Sequence, residues 1–343
     1  MDSLTQAVLG ATVGEVVLGK KVGNKAPFWG AVAGTIPDLD VVLNFFVGEV
    51  QSTIWHRTFS HSLLVLTLVT PVFGYLVFLL YRRSSVASFG DWSNLFFWGL
   101  ITHPLLDSFT NYGTMIFYPL SDVRVAWRTI FIVDPLYTLP LLFASIAVLF
   151  MAKTSLIRKR TAVLALSIST FYLFLTIINK INVNHIVEEN LKSQSISHQK
   201  YMTSPTFFNN LLWSVVVKAD GQYYVGYYSL LDDDKQIDFS EIPQQKALLL
   251  PYLQGADAES RALLLELIEF TEYFYALEPG ENSIYLYDLR FGKISGWFKY
   301  TRDFIFSFHI QDKNSGIEIN RTPSELELKD ESVNRLLERT LGK

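Results

Sequence analysis

The chain has 343 residues, of which 50% are hydrophobic, 15% aromatic and only 18% charged, with a net charge of −4. An ordinary soluble protein carries about 25% charged residues, so a disordered chain, one small module and a highly charged nucleic-acid binder are excluded. With no cysteine, disulfides, thiolate nucleophiles and sulfur-bound zinc are also excluded, and any metal must be held by His, Asp or Glu. Charge divides the chain in two: residues 1–179 hold 12 Lys+Arg against 9 Asp+Glu, and residues 180–343 hold 17 against 24.

In chain order, apolar segments at 4–19, 27–47, 62–81, 92–109, 130–151 and 161–179 predict a mainly α-helical, polytopic membrane domain of about six helices. The segments 62–81 and 161–179 carry no charge and approach the roughly 20 residues needed to cross a bilayer core; 130–151 carries only Asp134, near one end. Gly10 with Gly14, and Gly30 with Gly34, are four residues apart on their helices and let two backbones approach closely. With six alternating spans, the clusters Lys20/Lys21/Lys25, Arg82/Arg83 and Lys153/Arg158/Lys159/Arg160 fall on one side, the cytoplasmic side by the positive-inside rule. Residues after 179 then face outward. A polar, helix-like stretch over 180–204 reads as a stalk or linker.

From 205 to 343 the pattern predicts an extracytoplasmic α+β domain. A β-hairpin is expected over 212–219 and 222–230, closed at Asp220-Gly221 by a type I′ turn. Further strands are expected at 283–290, 297–300 and 304–311, a helical region at 244–275, and a polar amphipathic helix at 322–341 capped by Thr322 or Ser324.

Six metal-competent residues interrupt the apolar half: Asp38 and Asp40 in IPDLD, His56 and His61 in HRTFSH, and His103 and Asp107 in THPLLD. In the six-helix topology all six reach the outer side of the membrane. A carboxylate at bilayer depth costs about 2.5–3.5 kcal/mol on insertion scales, so three of them require a partner, which a divalent cation supplies. His103 and Asp107 are four residues apart, a chelating spacing on one helix. His56 and His61 are five apart, which puts one of them in the loop before the helix, and Pro37 is expected to break helix two where its carboxylates are needed. Oxygen and imidazole donors suit zinc, with manganese or iron as alternatives, and the donors suffice for one or two ions. Arg57, Arg124 and Arg128 are outer-side exceptions to the charge rule and candidate clamps for an anionic substrate. Thr58, Ser60, Thr110 and Asn111 are candidates for hydrogen bonds that orient the ligands. Asp2, Thr5 and Gln6 lie at the same level.

The motifs MDSLTQAVLG, AGTIPDLDV, HRTFSHSLL, THPLLDSFTNYGT and IFIVDPLYTLPLL resemble the YdjM-like family of inner-membrane-bound, metal-dependent hydrolases. The resemblance covers the membrane half. It implies a metal bound by Asp38, Asp40, His56, His61, His103 and Asp107, and hydrolytic chemistry distantly similar to that of zinc-dependent phospholipase C. Gln6 stands where many members carry His. Sequence and resemblance together predict a membrane hydrolase in which a metal-activated water attacks a phosphoester, lipid-borne or not, with Asp40 or Asp107 as general base. A metal transporter and a non-catalytic scaffold with a structural metal are the rival classes. Partners are the bilayer and such a substrate, with no nucleic acid; oligomeric state stays open.

Overall fold

The computed structural model describes residues 1–83, 86–292, 304–313, 316–322 and 330–342. Its first 193 residues form helices α1 (Ser3–Val22), α2 (Lys25–Thr35), α3 (Asn44–Val47), α4 (Glu49–Trp55), α5 (Leu63–Tyr81), α6 (Phe89–Asp107), α7 (Pro135–Leu149) and α8 (Leu156–Ser193). The chain divides into two compact units: Met1–Val42, His56–Asn179 and Phe207–Asn210 in the first, Leu43–Trp55, Lys180–Thr206 and Leu211–Lys343 in the second. Among the described residues, three helical stretches are long and apolar enough to cross a membrane: Lys25–Val47, Leu63–Tyr81 and Leu156–Ser193. Of the six expected spans, length and composition thus carry three.

Local chemistry sets the helix ends of the first unit. Pro37 lacks the N–H that a continuing α-helix would use, and after Thr35 the chain tightens into a 3-10 segment, Ile36–Leu43. The expected span at 27–47 is therefore α2, this segment and α3 in succession. The Asp134 side chain accepts from the Leu136 and Tyr137 N–H groups, with Pro135 at the first helical position, so α7 starts later than the apolar run suggests. Ser88 and Asp91 cap α6 reciprocally.

The glycines of α1 and α2 pack as their spacing predicts. A Cβ on Gly10 would lie 2.2 Å from the Gly30 carbonyl oxygen, and one on Gly34 would lie 2.4 Å from that of Gln6. The three basic clusters gather at one end of this unit. Lys21 Nζ is 2.7 Å from Asp91, Lys25 sits over the Tyr81 ring, and Arg158 reaches Asn24 at 2.9 Å while its fork holds both Glu15 oxygens at 2.7 and 2.6 Å.

The second unit contains two four-stranded antiparallel sheets. One runs in the order β1 (Lys200–Pro205), β2 (Leu212–Lys218), β3 (Gln222–Ser229), β4 (Ser240–Pro243). After helices α9 (Leu249–Gly255) and α10 (Ala258–Phe270) comes the other: β5 (Tyr275–Gly280), β6 (Ser283–Asp288), β7 (Ser307–Lys313), β8 (Gly316–Thr322), followed by helix α11 (Asp330–Thr340). Met202, Val216 and Tyr223 of the first sheet share a core with Ala276 and Tyr287 of the second. Val183, Val187 and Leu191 of α8 pack with Trp213, Val215 and Val217 of β2.

Several expectations for this half are corrected. The segment read as a stalk continues α8 to Ser193, because an apolar stripe lies under its polar face, and then supplies strand β1. The β2–β3 hairpin forms, but only Gly221 of its two central residues takes a positive φ (+74°), so its turn is not type I′, which needs both. The helical region expected at 244–275 breaks at Gly255 and ends at Phe270, where Tyr275 opens a strand. Thr322 closes β8 and is no helix cap, Ser324 lies outside the described residues, and the described part of the last helix is Asp330–Thr340. The strand expected at 297–300 lies outside the described residues. Although α3 and α4 come from the apolar half of the sequence, they pack within the second unit, where Gln51 donates to Glu266 at 3.0 Å.

Candidate metal centre

Four segments of the first unit converge at the end opposite its basic clusters: the start of α1, the 3-10 segment after α2, the turn before α5 and the end of α6. Their contributions are Gln6, Asp38, His61, and His103 with Asp107. One atom from each of Asp38, His61, His103 and Asp107 lies within 4.8 Å of the others. His61 Nε2 is 3.1 Å from His103 Nε2 and 3.4 Å from both Asp38 Oδ1 and Asp107 Oδ2. His103 Nε2 is 3.3 Å from Asp38 Oδ1 and 3.7 Å from Asp107 Oδ2. These five spacings lie near the separation of about 3.3–3.6 Å between ligand atoms around a tetrahedral ion bound at about 2.0–2.2 Å.

The hydrogen bonds around the cluster fix what faces inward. His103 Nδ1 lies 2.5 Å from the Gly34 carbonyl oxygen; a carbonyl only accepts, so Nδ1 carries a proton, and the neutral imidazole then presents a lone pair at Nε2. His61 Nδ1 lies 2.9 Å from Ser60 Oγ. The Ser60 hydroxyl proton is spent on Asp40 Oδ2 at 2.6 Å, so His61 Nδ1–H donates to Ser60, and the neutral imidazole then presents a lone pair at Nε2. Asp38 Oδ1 and Asp107 Oδ2 are buried, and no donor among the described residues is aligned on either as a hydrogen bond. One oxygen of Asp38, one of Asp107 and the two Nε2 atoms thus face one another, with the Arg57 guanidinium behind Asp107 Oδ2. The donor set fits a cation.

Asp107 is fully buried and well supported behind the cluster. Its Oδ1 accepts from Gln6 Nε2 at 2.8 Å and pairs with the Met1 amine. Arg57 Nε lies 2.9 Å from Oδ2. Arg57 is itself only 2% exposed, takes a φ of +62°, donates to Thr110 at 2.9 Å and lies over the Tyr112 ring. It is committed to a ligand carboxylate and is not presented as an open substrate clamp.

Asp40 and His56 form a pair beside the four, with His56 Nδ1 2.8 Å from Asp40 Oδ1. Asp40 Oδ2 also accepts from the Arg57 N–H at 3.2 Å and from Ser60, so both its oxygens are spent on protein donors. Burial holds the His56 imidazole below its ordinary pKa, against the Asp40 bond, which raises it. The His61, His103 and Asp107 side chains are inaccessible, while Asp38 is 20% and His56 26% exposed.

Of the residues expected to orient ligands, Ser60 touches His61, and Thr110 joins Arg57 to the Asp107 carbonyl oxygen. The Thr58 carbonyl accepts from the His61 N–H. Asn111 instead holds Arg128, at 2.9 Å. Arg124 donates to the His56 and Gly113 carbonyl oxygens. Two contributors have no polar side-chain signature in the sequence. The Gly34 carbonyl, whose residue reads only as a helix-packing glycine, sets the His103 tautomer, and Tyr112 lies edge-on to His56, with ring centroids 5.2 Å apart.

The family model described as YdjM inner membrane protein matches residues 1–183. No curated protein and no solved structure matches this chain.

Proposed function

The chain belongs to the YdjM inner membrane protein family, and from that premise we propose that it is a multi-pass hydrolase that uses a divalent metal to cleave a phosphoester at the outer leaflet. The observation that carries this reading is the meeting of two imidazoles and two carboxylates, from three separate chain segments, with one ligating atom of each within 4.8 Å of the others. Asp38, His61, His103 and Asp107 would hold the ion. When bound, it would supply Lewis acidity to the scissile group and lower the pKa of a water. Two imidazoles and two carboxylates suit zinc first, and manganese or iron after it.

The remaining residues have distinct tasks. Arg57 keeps Asp107 ionised in its buried position, and Gly34 and Ser60 keep the two imidazoles in the ligating tautomer. Asp40 holds the His56 Nδ1 proton, which leaves His56 Nε2 to accept a proton from the attacking water. General-base work therefore moves from Asp40 and Asp107, whose oxygens are occupied, to His56. Arg124 and Arg128 contribute positive charge for an anionic ester.

Orientation is supported by the gathering of the basic clusters at the end opposite the site: six alternating helices put those clusters in the cytoplasm and the site outside. The segment 205–343 would follow as an extracytoplasmic domain beyond a membrane domain at 1–179. Transport is the weaker reading, because Glu15, the acidic residue towards the basic end, spends both oxygens on Arg158. A purely structural metal is favoured by one observation, that four protein ligands alone complete a tetrahedral shell; the partial exposure of Asp38 and His56 favours catalysis.

The test is metal content and zinc-dependent turnover of bis(p-nitrophenyl) phosphate by the full-length protein in detergent, beside His61→Ala. Expected are about one equivalent of metal and measurable turnover, both lost in the variant. Metal without turnover of this or any lipid phosphoester would leave the structural reading, and no metal under replete conditions would overturn both.

A further inference from the structure

An apolar groove of about 330 Å³ runs beside the metal centre in the first unit. Leu63, Leu64, Thr67 and Leu68 of α5 form one wall, and Ile116, Phe117 and Leu120 form the other. No charged side chain lines it. Its one hydroxyl, on Thr67, donates to the Leu63 carbonyl oxygen at 2.7 Å, so the groove presents hydrocarbon throughout. Its volume lies at the lower end of the range for ligand pockets, about 300–1,000 Å³.

One end of the groove is built into the metal centre. The Leu63 N–H donates to the Ile116 carbonyl oxygen at 3.0 Å, and the Ser62 hydroxyl donates to that of Tyr118. Ser62 directly follows the ligand His61. The opposite wall is tied to the site as well, since the Met115 N–H donates to the Arg57 carbonyl oxygen at 2.9 Å. From there the groove follows α5 away from the site for five residues, about 7.5 Å at 1.5 Å per residue. Leu68 and Leu120, 69% and 81% exposed, leave its far end open at the side.

We propose that this groove binds one acyl chain of a membrane lipid, and that the same lipid presents its phosphoester to the metal centre. The second clause rests on the hydrolase reading above. A groove whose one lining hydroxyl is turned to its own helix backbone offers little to orient a peptide or a soluble metabolite, whereas bilayer lipid reaches it laterally. A chain laid along α5 brings its headgroup to the His61 end, where the metal ligands and Arg57 are held. The substrate class is thereby narrowed from phosphoesters in general to those carrying an acyl chain.

The experiment uses full-length protein in detergent with two probes: phosphatidylglycerol bearing a photoactivatable acyl chain, and water-soluble bis(p-nitrophenyl) phosphate. Labelling is expected to concentrate on 63–68 and 116–120, and to be reduced by excess unlabelled phosphatidylglycerol. Leu68→Trp, which fills the groove, is expected to lower the ratio of lipid to soluble-ester turnover about tenfold. Phe171→Trp, on the exposed face of α8, is expected to leave that ratio unchanged. Labelling spread equally over α5 and α8, or an equal loss of both activities in Leu68→Trp, overturns the groove while leaving metal-dependent hydrolysis standing. Localised, competed labelling in a protein that hydrolyses neither probe supports the groove and overturns the hydrolase reading.

Discussion

Each unit holds buried carboxylate oxygens, and the company they keep differs between Asp288 in the second unit and the Asp38–Asp107 cluster in the first. In the second unit, Asp288 receives the Arg290 guanidinium, with Nε at 3.0 and 3.1 Å and Nη2 at 2.7 Å from its oxygens. Its backbone amide partner completes the set at 3.0 Å. In the first unit, Asp38 Oδ1 and Asp107 Oδ2 lie 3.3–3.7 Å from the Nε2 atoms of His61 and His103, with Arg57 and Gln6 behind Asp107. A buried charge paired by one guanidinium alone is part of the architecture. Carboxylates gathered with two imidazoles form a group that could hold a metal ion.

Four changes break or sharpen this contrast. The largest effect is expected from Asp107→Ala, which removes one acceptor and frees Arg57: bound metal falls to background by elemental analysis, and chelator no longer lowers the melting temperature as it does for the wild type. Arg290→Met strands the Asp288 charge and is expected to destabilise the second unit by about 3–5 kcal/mol, read by denaturant unfolding, while metal content stays at the wild-type value. Retention of wild-type stability in Arg290→Met would show that Asp288 is not the architectural charge described. Asp40→Asn keeps the shape behind His56 and Ser60 but loses the charge, and is expected to weaken metal affinity about 10–100-fold by competition with a fluorescent chelator. The smallest change is Ser60→Ala. It removes the acceptor of the His61 Nδ1 proton, and a loss of about 1 kcal/mol in metal binding, roughly a fivefold weaker affinity by calorimetry, is expected.

Much of the first unit was legible in the sequence because lipid is a demanding solvent. Uncharged runs such as 62–81 can only be helices there, and a carboxylate in such surroundings announces a partner. Asp38, His61, His103 and Asp107 stood out for that reason. The division of labour among the six candidate ligands was not legible. Asp40 and Asp38 are two residues apart in one motif, yet only Asp38 turns to the cluster, because a 3-10 turn separates their side chains by about 240° and Ser60, His56 and the Arg57 amide take up Asp40. Arg57 read as a surface clamp because its burial depends on Tyr112, Thr110 and Asp107, all about fifty residues further along the chain.

In the second unit the alternation of Val, Tyr and Phe announced β2, β3, β6 and part of β7, but β1, β4, β5 and β8 are polar or short and gained their state from the strands they pair with. Sequence alone determined the two-part chain, the apolar helices, the close α1–α2 glycine contact and the choice of metal-competent residues, since each follows from composition or from spacing within one segment. Only the tertiary structure decided which acceptors meet, which imidazole nitrogen is turned inward and which arginine is spent on a ligand. Those outcomes depend on hydrogen bonds between segments as far apart as Gly34 and His103, and no local pattern encodes them.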